Sequence, residues 1–346
     1  MIPGKRVSAT GICRYRRLRK EAFLSGREEY KSSTMNPLIV FRQMVIILIL
    51  ILTGFYCQKK GFIQNSHSRS MSFLVANVFN PCLVLSSVLS SERATDFTMV
   101  NRSFLAAVSL AVLMVASAYL LTIRAGSDRH KTVMLRLLFI FNNMGFIGIP
   151  VVRSVLGEKY VIYVAVFNLV YAVLGYTLGI SMMDQVTRIS LQNLKKVINT
   201  GTVSAVLSLF LFYTGLRLPE IITLPVTHLG GAATPMCMIV TGMLLAQKED
   251  LLRLFRNAEI MRIAGIKVVL PLLYACFMRL LPIPAEIRQL TFILSAMPVG
   301  NLQLMQLNER GWDTTLLSDC IVVTTIFSVI SIPVLVFVYN ALPFLR

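Results

Sequence analysis

The 346-residue chain is 55% hydrophobic and only 14% charged, with a mean hydropathy of +0.70 and a formal charge of +18. Soluble domains are about 45–50% apolar and about 25% charged, so the composition excludes a soluble globular domain and describes a membrane protein. The basic excess fits flanks that orient membrane spans. A nucleic-acid reading finds neither zinc-finger spacing nor an aromatic-basic stacking platform.

The first 34 residues carry nine basic side chains between Lys5 and Lys31 and no apolar core of signal-peptide length. They read as a basic tail, or as sequence upstream of a start at Met35. A spanning helix needs about 20 mostly apolar residues. From Met35 on, such segments fall at 38–57, 70–90, 103–123, 134–156, 160–183, 197–215, 228–246, 258–281, 288–307 and 315–342. The expected fold is therefore an all-α membrane protein of ten transmembrane helices. The segment 217–227 is short and proline-bounded and is expected to lie at the interface. The polar stretch 184–196 divides the chain into a first five-helix repeat, 35–183, and a second, 197–346.

A constant shift of 154 residues relates the halves: Gly61 maps to Gly215, Pro81 to Pro235 and Gly157 to Gly311. Five spans per repeat is odd, so the second half enters from the opposite side. That is an inverted repeat, a plan that places substrate near the midplane. Loops after odd-numbered spans carry Lys59, Lys60, Arg69, Arg124, Arg129, Lys131, Arg188, Lys195, Lys196, Lys248, Arg253, Arg256, Arg262 and Arg310. Loops after even-numbered spans carry Arg93, Arg102, Arg153, Lys159, Arg217, Arg279, Arg288 and Arg346. The richer set faces the cytoplasm, which puts both termini outside. The basic tail opposes this orientation unless the functional start is Met35.

The fourth span contains FNNMGFIGIP, with Asn142, Asn143, Gly145, Gly148 and Pro150, and the ninth contains SAMPVGNLQL, with Pro298, Gly300 and Asn301. Proline and glycine weaken helices, and irregular backbone survives at membrane depth only where protein or a water-filled cavity covers it. Two broken helices at matched depth point to a binding site. Their N-terminal halves expose carbonyls and their C-terminal halves expose N–H groups, which suit a cation and an anion respectively. Asn142, Asn143, Gly145, Pro150, Pro298, Gly300 and Asn301 are the candidate binding residues. Ser86 and Ser87 near Pro81, and Thr241 near Pro235, either line the path or bond their own helices. Asp319, in the tenth span, is the candidate for coupling to H+ or Na+. Arg42, Arg136 and Lys267 are expected to snorkel from span ends.

The six cysteines show no CxxC pair and the three histidines no metal-ligand spacing. Walker A, GxSxG and HExxH motifs are absent, so no enzyme and no tightly bound cofactor or metal is expected.

NNMGFIGIPVVRSVLG, VFNPCLVLSSVLS and SAMPVGNLQLMQLNERGWDTTLLSDCIVVTTIFSVISIPVLVFV resemble helices of the auxin efflux carrier family, from about Met35 to the C-terminus. That family includes plant auxin carriers and bacterial malate-permease-like proteins. The resemblance implies ten helices in two repeats, scaffold and crossover transport domains, elevator-type alternating access and often a homodimer. It places the crossover asparagine on Asn143 and the crossover prolines on Pro150 and Pro298. The long central loop of the plant carriers is reduced to 184–196, which points to a compact, bacterial-type member. The expected function is secondary transport of a small organic anion, such as a carboxylate, across the cytoplasmic membrane. The alternatives are a sodium-coupled symporter of the bile-acid type and a membrane sensor that binds its ligand without moving it.

Overall fold

The computed structural model describes residues 35–89, 97–126, 128–183, 200–247 and 251–345. The basic tail 1–34 and the linker 184–196 lie outside the described residues, which contain helices and no strand.

Helix α1 spans Pro37–Lys59; its first turn is capped by the Asn36 side chain, which accepts from the Leu38 N–H at 2.9 Å, and Pro37 fills the position where a missing donor is harmless. Next come α2 (Asn65–Leu74) and α3 (Asn80–Leu89), joined without a break through the π-helical turn Val75–Phe79. The widened turn ends two residues before Pro81. A second widened turn, Met144–Gly148, stands in the same relation to Pro150. Proline clashes with the carbonyl four residues back, and a widened turn carries that carbonyl aside.

Helix α4 (Phe97–Thr122) shows how these helices divide their faces. Val100, Ser103, Ala106, Ala107, Leu110, Met114 and Ala118 are buried at helical spacing, while Leu105, Val108, Val112 and Leu120 are exposed. Large exposed apolar side chains recur on other helices, among them Ile49, Phe210, Val269, Phe277, Val334 and Phe337. An apolar exterior of this extent suits lipid, and the chain is a multi-pass membrane protein.

The remaining helices are α5 (Arg129–Ile140), α6 (Ile149–Val155), α7 (Val161–Leu174), α8 (Ile180–Met183), α9 (Thr200–Thr214), α10 (Glu220–Ala246), α11 (Leu251–Arg256), α12 (Ala258–Met278), α13 (Ala285–Ser295), α14 (Leu302–Glu309) and α15 (Thr315–Ala341). A turn of π-helix, Gly175–Gly179, joins α7 to α8. Among the described residues, six helical stretches are long and apolar enough to cross a membrane: Pro37–Lys59, Phe97–Thr122, Glu158–Met183, Glu220–Ala246, Ala258–Met278 and Thr315–Ala341. The fourth and ninth predicted spans fall short because each is broken into two half-helices. The sixth is a 15-residue helix, and the second has an apolar stretch of only Ser70–Ser86.

One sequence expectation is corrected here. The segment 217–227 is not separate from the span that follows, because from Glu220 it forms the first turns of α10. Pro219 precedes the helix, and Pro225 deprives only the carbonyl of Ile221, a residue 82% exposed at the helix end.

Helices α1 and α10 touch backbone to backbone. A Cβ placed on Gly54 would lie 2.0 Å from the Ile239 carbonyl oxygen, and one on Gly242 would lie 1.9 Å from that of Ile51. Only glycine permits so close an approach. Elsewhere, the glycines related by the 154-residue shift all have positive φ: 74° and 65° at Gly61 and Gly215, 104° and 70° at Gly157 and Gly311.

Candidate functional site

Helix α5 ends at Ile140 and Phe141 turns extended, with φ −109° and ψ 114°. From the other half of the chain, α13 ends at Ser295 and the backbone runs to α14 through Pro298, Val299 and Gly300. The two non-helical segments cross as a short antiparallel pair, with Asn142 opposite Val299. The Asn143 N–H donates to the Pro298 carbonyl at 2.7 Å and the Gly300 N–H to the Phe141 carbonyl at 3.1 Å. Each break thus satisfies backbone groups of the other, as depth in a membrane requires. The Val299 N–H donates to Thr324 Oγ1 at 3.3 Å, which ties the crossing to α15.

The carbonyl ends of the half-helices are also occupied. Asn142 Nδ2 donates to the carbonyls of Leu294 and Ser295 at 3.2 and 2.7 Å, which caps α13. Lys267, from α12, donates to the Leu138 carbonyl at 3.0 Å and to Asn142 Oδ1. The ammonium therefore sits at the negative end of α5. On the N–H side, Asn143 Oδ1 accepts from the Phe146 N–H at 3.2 Å, which commits the oxygen end of that side chain.

Beside the crossing lies a cavity of about 240 Å³. Its lining carries the carboxamides Asn77, Asn80, Asn142, Asn143, Asn168, Asn301, Gln303 and Gln306, with Tyr171, Thr200 and apolar neighbours such as Val84 and Phe141. Among the described residues that line it, none is Lys, Arg, Asp or Glu.

Of the residues nominated from sequence, Asn142, Asn143, Gly145, Gly300 and Asn301 come together on this cavity. Pro298 contributes its carbonyl to the crossing, and Pro150 lies in the first turn of α6, outside the lining. Ser86 and Thr241 are buried and donate to carbonyls of their own helices, Leu83 and Cys237, at 3.0 and 2.8 Å. Neither lines the cavity. Ser87 lies outside the described side chains. Asp319, half-buried on α15, is also outside the lining.

Lys267 corrects a second expectation. It does not snorkel; it is 9% exposed, in the middle of α12, because two carbonyl-type oxygens draw it inward. Arg136 lies over the Tyr119 ring at 4.1 Å and donates to Thr122 Oγ1, and Arg42 is exposed. Sequence reasoning missed Asn77, Asn80, Asn168, Gln303 and Gln306. A signal existed: Asn77 with Asn80, and Gln303 with Gln306, stand three apart, which places each pair on one helix face.

An all-helical, multi-pass membrane protein whose broken helices cross beside a polar cavity has the construction of a solute transporter. The chain belongs to a family described as membrane transport protein, the auxin efflux carrier family, whose sequence profile matches residues 39–192 and 186–336. It is 26% identical over 303 residues to an uncharacterized transporter of Methanothermobacter thermautotrophicus, covering 83% of this chain and 94% of that protein. It is 25% identical over 303 residues to an uncharacterized transporter of Methanocaldococcus jannaschii, covering 84% of this chain and 95% of that one.

Proposed function

We propose that the chain is a secondary transporter that carries a small organic anion, a carboxylate, across the cytoplasmic membrane by alternating access. The observation that carries this reading is the pairing of ends at the crossing. Lys267 and Asn142 cover the carbonyl ends of α5 and α13. The N–H ends of Met144–Val155 and α14 adjoin the cavity, the first of them partly capped by Asn142 and Asn143, and partial positive charge there attracts an anion. Asn143 holds the carboxylate through its NH2, and Pro298 and Pro150 keep the two helices broken. The carbonyl ends that a sodium ion would use hold a lysine instead, which favours proton coupling, with Asp319 as its carrier, over the bile-acid type of symport.

In this reading ten helices cross the bilayer as two inverted repeats, 35–183 and 197–346, with both termini outside, and two copies form a homodimer. Contacts between loops support the count. Lys131 pairs with Glu259 at 2.8 Å and His130 packs on Trp312 at 4.1 Å, both joining odd-numbered loops. Arg102 donates to the Pro282 carbonyl and Arg279 to that of Pro343, both joining even-numbered ends. The shared positive φ of the shift-related glycines supports the repeat.

The test is uptake of labelled carboxylates by proteoliposomes holding the full chain, with and without gradients of H+ and Na+. Saturable flux driven by a pH gradient is expected. Binding without flux means a sensor, and stabilisation by cations in place of anions means that the site has the opposite sign.

A further inference from the structure

Five carboxamide atoms of residues that line the cavity are buried and have no hydrogen-bond partner: Asn168 Nδ2, Asn301 Oδ1, Gln303 Nε2, and both Nε2 and Oε1 of Gln306. Gln303 and Gln306 are 2% and 5% exposed. Native proteins keep few such atoms, and a group of them on one wall calls for a partner. They come from α7, the crossing and α14. They are distinct from Asn142, whose carboxamide is fully engaged, and from Asn143, whose oxygen is engaged.

The chemistry of this wall limits what it can hold. Each carboxamide offers donors and acceptors together and no net charge. A second carboxylate of a dicarboxylate would lose its water against a wall with no cation, an uncompensated cost. A plain alkyl tail would leave the amides unpaired, and a site built from hydrogen-bonding groups rejects analogues that lack the matching group. A hydroxyl both donates and accepts, and so fits. Resting on the anion reading above, we infer that Asn168, Gln303 and Gln306 form the second half of the site and grip the hydroxyl-bearing end of a monocarboxylate. The chain then selects hydroxylated monocarboxylates over both dicarboxylates and alkyl acids.

Three probes with one three-carbon skeleton test this: glycerate, propionate and malonate, titrated against the purified full chain by thermal shift, since ligands that bind the folded state raise its melting temperature. Glycerate is expected to bind at least about tenfold more tightly than the other two, which corresponds to about 1.4 kcal/mol. In Gln306→Leu, and independently in Asn168→Leu, that preference should collapse from both sides: glycerate binding weakens, and propionate, no longer set against an unpaired amide, binds more tightly. If malonate or propionate binds as well as glycerate in the parent chain, the inference falls, whatever the variants do. If that binding is still weakened by Asn143→Ala, the anion reading survives without it. If none of the three binds, the inference also falls, and flux of a wider set of carboxylates decides the anion reading.

Discussion

The Lys267 ammonium donates to the side-chain oxygen of Asn142, and through it reaches both halves of the crossing. Asn142 passes the polarisation on, because its NH2 donates to the last carbonyls of α13. Lys267 itself caps Leu138 at the end of α5. One cation on α12 thus serves the negative ends of two half-helices from opposite halves of the chain. A charge buried in this way is stable only while its partners remain.

Replacing Lys267 by methionine keeps the volume of the side chain and removes its charge. The Leu138 carbonyl and Asn142 Oδ1 lose a charged donor, a class of hydrogen bond worth about 1.5–3 kcal/mol. Lys267→Met should lower the melting temperature of the purified protein and cut flux more than tenfold. A variant that melts and transports like its parent would show that the lysine is incidental to the crossing.

Asn143 has two roles that substitution can separate. Its oxygen caps the segment that starts at Met144, and loss of such a cap costs about 0.5–2 kcal/mol. Asn143→Ala should therefore lower stability modestly while abolishing transport. Asn143→Asp keeps the capping oxygen but trades the NH2 for negative charge, so it should fold like the parent and reject anions. Normal flux at normal expression in either variant removes Asn143 from the site.

How far the sequence revealed this arrangement depended on the kind of signal. The breaks were legible because Pro150, Pro298 and their glycines interrupt apolar runs, and no helix in lipid tolerates that without cover. Asn143 was legible beside them. Lys267 was not, because hydropathy marks a lone lysine as a span end, and only the fold brings Leu138 and Asn142 within its reach. Gln303 and Gln306 were hidden for a different reason: their spacing was visible, but the face they share acquires meaning only when the fold brings α14 to the same cavity as Asn168 and Asn80. The continuity of α10 through Pro225 was obscured because proline reads as a boundary, although one lost donor near an exposed helix end is cheap.

Close glycine contacts predict a graded series. Gly242→Ala would place a methyl group 1.9 Å from the Ile51 carbonyl oxygen, so α1 and α10 must separate and folded protein should be lost. At Gly300 the added methyl group would sit 3.0 Å from the Asn142 carbonyl oxygen, which asks the crossing to open by only a few tenths of an ångström. Gly300→Ala should therefore fold and lose flux. Gly231 has nothing within 4 Å of an added Cβ and serves as the neutral control. Size-exclusion profiles and uptake, measured on the same preparations, separate the three outcomes.

The ten-crossing plan makes a prediction about sidedness that requires no substrate. With the native cysteines replaced, Arg124→Cys reports a loop after an odd-numbered span and Lys159→Cys a loop after an even-numbered one. The odd set is the richer in lysine and arginine, and such loops are retained on the cytoplasmic side. A membrane-impermeant maleimide applied to intact cells should label Lys159→Cys at once and Arg124→Cys only after permeabilisation. The reverse pattern would keep the ten crossings and invert the orientation. Labelling of both positions from outside would require an even number of crossings between residues 124 and 159, which contradicts a fourth span broken at Asn142 and passing once through the membrane.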